Sequence, residues 1–324
     1  MKGFEKMNQE YREAAQIVLS RLNKVILGKE QLTKEVFAAF LAGGHVLLED
    51  IPGVGKTTLA LAFSKLLGLK WKRVQFTPDV LPSDLTGFSI YQKNIQKFVY
   101  QPGAVFCNLL LADEINRTSP KTQSALLEVM EEKQVTVEKI TRKVPSPFFV
   151  IATQNPFGTA GTQMLPFAQL DRFMISTSMG YPDMQNEILL AKGVQNGGRT
   201  DNLTAMLNAD AFLKMQQDVE QIYIHDHIYS YIVRLVTAIR ENPYIEIGVS
   251  PRGTISLVKI ARANAWLNGN DFVSPSDVSS QFLPVALHRI QLNVKARIDG
   301  VDKRDVLNDI LKRIEAPALR GKNR

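Results

Sequence analysis

The sequence has one cysteine, Cys107, in 324 residues, so the chain can build neither an internal disulfide nor a cysteine zinc cluster. No apolar run approaches the roughly 18 residues that a membrane-spanning helix needs. The opening stretch, MKGFEKMNQEYREAAQ, mixes charges where a secretory leader would carry an apolar block. These absences argue against export and membrane insertion, and a soluble, cytoplasmic chain is the expectation. Histidine is scarce as well, with four in all. His225 and His227 flank Asp226 with no other His or Cys nearby, which fits a solvated helix start better than a metal site. There is no internal repeat, low-complexity tract or long basic run. The 39 Lys and Arg residues are dispersed, so a net charge of +7 and a pI near 9.3 give little reason to expect nucleic acid.

What the sequence does contain is 45% hydrophobic residues in a length suited to about two domains. Short apolar runs at 45–49, 73–76, 109–112, 148–152 and 173–176 alternate with helical stretches, the pattern of a buried parallel sheet covered on both faces. Beyond Tyr181 the strand signals fade. Ile228, Ile232, Leu235, Val236 and Ile239 recur at helical spacing, so residues 181–324 read as a helical domain and residues 1–180 as an α/β domain. Two interruptions, 88–91 with 98–100 and 135–137 with 141–144, read as hairpins projecting from the sheet, or as irregular surface loops. Residues 197–201, Gly-Gly-Arg-Thr-Asp, read as a surface loop. Trp266 and the segments 261–266 and 285–290 read as helices packing the second domain's core.

The segment LLEDIPGVGKTTLALAFS carries the chemistry most directly. Gly55-Lys56-Thr57 ends a phosphate-binding loop of the usual spacing, yet Asp50 stands where the first Gly is expected. The setting is a strand, a Gly-containing turn and a helix. Backbone N–H groups at the helix start can face phosphate oxygens, Lys56 can reach the β and γ phosphates, and the Thr57 hydroxyl can ligate Mg²⁺. Gly53 and Gly55 allow close phosphate approach; position 50 lies at the start of the turn, so Asp50→Gly is expected to preserve ATP binding. The run 109–112 ends in Asp113-Glu114, placing two carboxylates at the sheet's C-terminal edge, one to support Mg²⁺ and one to orient or deprotonate water. Run 148–152 leads to Thr153-Gln154-Asn155-Pro156. The Asn155 amide could meet the γ-phosphate or the attacking water, or could simply open a turn before Pro156.

The ordered set Gly53-Val54-Gly55-Lys56-Thr57, Asp113-Glu114, Asn155 and Leu170-Asp171-Arg172-Phe173 resembles the AAA+ ATPases. LLADEINRTSPKTQSALLEVMEEKQVTV together with FFVIATQNP resembles the MoxR branch specifically, over roughly residues 20 to 295. The resemblance implies a P-loop AAA+ sheet core with β-hairpin insertions, followed by an all-α lid. It places Pro52, Gly53, Val54, Gly55, Lys56, Thr57 and Thr58 around the phosphates, and Ile26, Leu27 and Gly28 along the adenine. It makes Asn155 sensor 1, Arg172 the arginine finger that reaches a neighbouring subunit's nucleotide, and Arg252 sensor 2, the lid arginine contacting the γ-phosphate. It also implies a ring, six-membered in this class, and a client protein, often with a von Willebrand factor A domain partner.

Phosphoryl transfer spreads charge over oxygens that guanidinium groups stabilise, which suits both arginine roles. Arg172 could instead pair locally with Asp171, and Arg117 could serve a subunit interface, a cap or an ion pair. The family usually has an acidic residue where Phe167 stands. The reading that results is Mg²⁺-dependent ATP hydrolysis that remodels or activates a partner protein, with a DNA-dependent AAA+ motor and a nucleotide-gated switch without turnover as rivals.

Overall fold

A computed structural model describes residues 2–155, 164–193 and 200–318 of the chain. Pro156 and residues 197–199 lie outside the described residues. The strands are β1 (Val46–Glu49), β2 (Trp71–Gln75), β3 (Phe88–Gln92), β4 (Lys97–Gln101), β5 (Leu109–Asp113), β6 (Gln134–Val137), β7 (Ile140–Lys143), β8 (Phe149–Gln154), β9 (Ile175–Thr177), β10 (Ile245–Ile247) and β11 (Gln291–Leu292). The helices of the first half are α1 (Lys2–Val25), α2 (Glu30–Leu41), α3 (Lys56–Leu66), α4 (Pro82–Thr86), α5 (Pro120–Glu132) and α6 (Phe167–Leu170). Those that follow are α7 (Met184–Gly193), α8 (Ala209–Glu220), α9 (Asp226–Arg240), α10 (Pro251–Leu267), α11 (Pro275–Ala286), α12 (Val294–Ile298) and α13 (Lys303–Arg313).

Five parallel strands form the sheet in the order β2-β5-β8-β1-β9. The central strands are buried throughout, which is why LLLAD and FVIATQ carry no polar alternation. Their side chains still divide by period two. Leu109, Leu111, Phe149 and Ile151 join a core on one face, while Leu110, Ala112, Val150 and Ala152 join a core on the other. The first of these cores runs without a break from Ala15 to Ile310, so the helical half packs on α1, α2 and α3 instead of standing apart. The edge strand β2 exposes Lys72 and Arg73, charges that keep its open side from pairing with another strand.

Both hairpins form. β3 pairs antiparallel with β4, and β6 with β7. They lean on one another through Ser89 Oγ, which donates to Glu138 at 2.7 Å, and the Arg142 guanidinium, 3.8 Å from the Tyr100 ring centre. The turn at Glu138 and Lys139 has φ of 53° and 64°, the left-handed pair of a tight two-residue hairpin turn, although neither residue is the Gly or Asn that usually marks one.

In the helical half, Ile228, Ile232, Leu235, Val236 and Ile239 are buried along α9, and Trp266 is buried in α10. His225 caps α9 by accepting from the His227 N–H, and no cluster of three or more His, Cys, Asp and Glu placed to hold a metal occurs among the described residues. Two details differ from the sequence reading. The short antiparallel ladder β10–β11 accompanies the helices, and the segment 285–290 is not one helix. There α11 ends at Ala286 and a 3₁₀ turn, Leu287–Arg289, follows, because Arg289 turns inward to bond carbonyls of the sheet half. No helix among the described residues is long and apolar enough to cross a membrane.

Candidate nucleotide site

Because all five strands run the same way, the loops after β1, β5 and β8 emerge at one sheet edge, where open α/β folds bind ligands. After β1 the chain takes left-handed turns at Gly53 (φ 86°) and Gly55 (φ 99°), conformations that cost a side-chain-bearing residue energy. Among the described residues, apart from its chain neighbours, none has an atom within 4 Å of where a Gly53 side chain would begin, so the loop surface there is open to a ligand. Gly55 caps α3, whose first residues Lys56, Thr57 and Thr58 present backbone N–H groups without helical partners, the arrangement that binds phosphate. The Lys56 ammonium curls back to the carbonyls of Asp50 and Ile51, 3.2 Å from each.

Asp50 proves to be far from a neutral replacement for glycine. It is 4% exposed, and its carboxylate accepts from Ser178 Oγ (2.7 Å), Met179 N–H (2.6 Å) and Gly180 N–H (3.0 Å). Position 50 therefore does more than open the turn, since Asp50→Gly deletes three hydrogen bonds to a carboxylate. Those bonds draw residues 178–180 against the loop, and the same segment continues to Ile26, Leu27 and Gly28. There Ile26 is buried, Leu27 half-buried and Gly28 left-handed (φ 67°), with the Asn186 amide so close that it would have to shift to admit a side chain at position 28. Lys29 Nζ donates to the Tyr181 carbonyl at 2.8 Å. The segment 179–186 thus walls the site beside Ile26, Leu27 and Gly28. Sequence reasoning missed it because it carries no motif.

Asp113 closes β5. Thr153 Oγ1 on β8 donates to its Oδ1 (2.7 Å), and Arg73 on β2 donates to its Oδ2 (2.7 Å). Thr153 Oγ1 also accepts the Glu114 N–H at 2.8 Å, fixing Glu114 in a left-handed conformation (φ 57°, ψ 49°) that costs roughly 1–2 kcal/mol for a non-glycine residue. Held strain of this kind concentrates at functional positions. Arg117 Nη1 donates to Glu114 Oε2 at 2.8 Å, so within one chain Arg117 makes an ion pair. Asn155 follows β8 at the same edge. Thr57 and Asp113 fit a Mg²⁺ ion: the donors are hard oxygens, and a phosphate-bound Mg²⁺ takes few ligands from protein and the rest from phosphate and water.

The two remaining arginines lie elsewhere. Met174 N–H donates to the carbonyl of His45, the residue before β1, so Arg172 sits at the opposite sheet edge from the phosphate loop. About 13 Å of strand separates the two edges. His45, Met130, Glu131, Arg172 and Arg252 line one cavity there, of about 100 Å³. Glu131, near the end of α5, takes both arginines. Its Oε2 is 3.2 Å from Arg172 Nη1, and its Oε1 is in direct contact with Arg252 Nη2. The local Asp171–Arg172 pair does not form. Asp171 instead accepts from the buried Arg289 (2.8 Å) and from Ser250 Oγ (2.8 and 3.0 Å), the residue that caps the helix carrying Arg252. Arg252 thus lies beside Glu131 at this edge, apart from the phosphate loop of its own chain. Phe167, on α6, lines a cavity of about 670 Å³ with residues of both halves, among them Asp50, Leu287 and Lys303.

The site's architecture agrees with comparison to known proteins. Residues 45–175 match the ATPase family associated with various cellular activities (AAA), and residues 237–310 match the AAA lid domain. The uncharacterized protein YeaC of Bacillus subtilis is 44% identical over 94% of this chain and 95% of its own. Chaperone MoxR1 of Mycobacterium tuberculosis is 36% identical over 92% of this chain and 81% of its own. The crystal structure of a putative ATPase from Cytophaga hutchinsonii superposes with a TM-score of 0.91 at 35% identity, covering 98% of this chain and 99% of that one. With a phosphate loop, an acidic strand end and a helical lid in this order, the chain belongs to the MoxR family of AAA+ ATPases.

Proposed function

We propose that the chain hydrolyses ATP with Mg²⁺ in a ring, six-membered as in its class, and uses the reaction to remodel or activate a client protein in the cytoplasm in a chaperone-like manner, with a von Willebrand factor A domain protein as an associated partner. The observation that carries the ring is the separation of Arg172 and Arg252 from the phosphate loop by the height of the sheet. A complete site then needs two copies, one supplying residues 26–28, 52–58, Asp113, Glu114 and Asn155, the other supplying Arg172 and Arg252. The division into residues 1–180 and 181–324 puts Arg172 on the sheet half and Arg252 on the lid.

In this reading Lys56 and the N–H groups of the loop hold the phosphates, and Thr57 and Asp113 hold the metal. Mg²⁺, when bound, neutralises charge on the β and γ oxygens. Glu114 orients or deprotonates the attacking water, Asn155 steadies it, and the neighbour's guanidinium groups meet the charge that develops on the phosphoryl oxygens. The test is phosphate release measured alongside sedimentation. Activity that rises with assembly and is lost in Glu114→Gln, while a fluorescent ATP analogue still binds, supports the reading; full activity in a dilute monomer ends it. A DNA-dependent motor remains the second reading, favoured by the exposed Tyr91 and Phe98 of the first hairpin. Stimulation by DNA with a steep salt dependence would decide for it.

A further inference from the structure

We propose that Glu131 is a positioning residue for ATP hydrolysis on a neighbouring copy: it gathers Arg172 and Arg252 into one cationic fork that presents to that copy's γ-phosphate. The proposal rests on the reading that the two arginines act between copies. No sequence motif singles out Glu131, which stands in the run Leu126-Leu127-Glu128-Val129-Met130-Glu131-Glu132 near the end of α5.

Each oxygen of the Glu131 carboxylate takes one guanidinium, one from the sheet half and one from the lid, and no other residue pairs with both arginines among the described residues. Without an anion between them, two guanidinium groups sharing so small a cavity would repel and splay apart. With it, the trio carries a net charge of about +1, a sum of two cations and one anion that favours phosphate.

The supports of the fork are fixed. The Arg172 Nη1 also donates to the Leu127 carbonyl at 2.8 Å, one turn back along α5. Arg252 leaves a helix whose cap, Ser250, is bonded to Asp171. The backbone beside Glu131 is pinned by His45. Its Nδ1 accepts the Val150 N–H at 3.0 Å, so Nε2 carries the proton and donates to the Met130 carbonyl at 3.0 Å. The three charged tips, in contrast, remain partly open, with side-chain exposures of 32% for Arg172, 43% for Arg252 and 40% for Glu131. The frame is rigid and the tips are accessible, as a group that must receive an incoming anion requires.

Mixing complementary variants of the full chain tests this. Glu131→Gln should lower kcat about 100-fold, the scale of a misplaced catalytic group, while a fluorescent ATP analogue binds with unchanged affinity. Lys56→Ala is inactive for its own reason but retains an intact fork. Mixed with Glu131→Gln it should restore hydrolysis, because the Lys56→Ala copy presents its fork to nucleotide held by the Glu131→Gln copy. Arg172→Ala mixed with Lys56→Ala is the parallel control. If Arg172→Ala is rescued and Glu131→Gln is either fully active alone or not rescued, the role given to Glu131 is wrong while trans action stands. If neither is rescued, trans action itself fails. Glu131→Asp, which keeps the charge on a shorter stem, should fall between wild type and Glu131→Gln, and it serves in the mixture if Glu131→Gln does not fold.

Discussion

The two edges of the sheet are built by different means. At the edge with the phosphate loop, some partners are close in the chain, as Lys56 with Asp50, six residues away, and Arg117 with Glu114, three away; others come from neighbouring strands, Arg73 and Thr153 each 40 residues from Asp113, and from the strap 178–180 that bonds Asp50. At the opposite edge the partners are distant, with Arg252 and Glu131 separated by 121 residues and Arg289 and Asp171 by 118. The first edge is made by turns, neighbouring strands of one sheet and the strap leaving β9, the second by docking one half of the chain on the other. The phosphate loop itself is held within the sheet half, whereas any function of the arginine edge depends on the packing of the halves.

The largest effect expected from breaking this arrangement is on turnover. Arg172→Ala should lower kcat by about 10³-fold or more, the worth of an arginine supplied to phosphoryl transfer by a neighbour, with nucleotide affinity unchanged in a binding titration. Lys56→Ala should abolish or severely weaken binding itself, so the same two assays separate the edges. Next is Asp171→Ala. It leaves the Arg289 guanidinium, 1% exposed, without its carboxylate, and breaking a buried pair of this kind costs about 3–5 kcal/mol, readable by denaturant unfolding. The phosphate-loop edge should lose little by comparison.

A third probe is acid. Burial pushes the His45 imidazole down to about 4 from an ordinary 6.5. Between those values the unfolded chain binds a proton that the folded chain refuses, so stability falls as pH drops from 6.5 to 4 and is fully present above 6.5. The shift corresponds to about 3 kcal/mol. His288, also buried and shifted downward, acts in the same sense. Unfolding measured across this window should therefore show a slope that His45→Asn reduces without removing. Smallest is Arg117→Ala. Its pair with Glu114 is partly exposed, a kind worth about 0–1 kcal/mol, so stability should hardly change. A large fall in kcat would instead assign Arg117 to the reaction.

This contrast also explains what was legible from residues alone. Lys56, Thr57, Asp113 and Glu114 could be placed because a strand, a turn and a helix start follow in immediate succession, and parallel strands bring such ends to one edge. Both hairpins could be seen from alternating residues around a polar gap, though Glu138 and Lys139 gave no turn signal. Glu131 was not legible: one carboxylate among Glu128, Glu131 and Glu132 becomes distinct only when Arg172 and Arg252 converge on it. Arg289 was hidden for a similar reason, lying where an apolar run suggested continuous helix. Asp50 was visible as an oddity, but its partners at 178–180 have no pattern that points back to it.

Asp50 has a mechanical consequence. Its backbone belongs to the turn proposed to grip phosphate, and its carboxylate holds the strap of chain leaving β9 for the helical half. Loop and strap are thus hinged on a single residue: a movement of the loop as phosphate arrives or departs pulls on the tether between the two halves at its root. A glycine there would leave the grip intact and slacken the transmission.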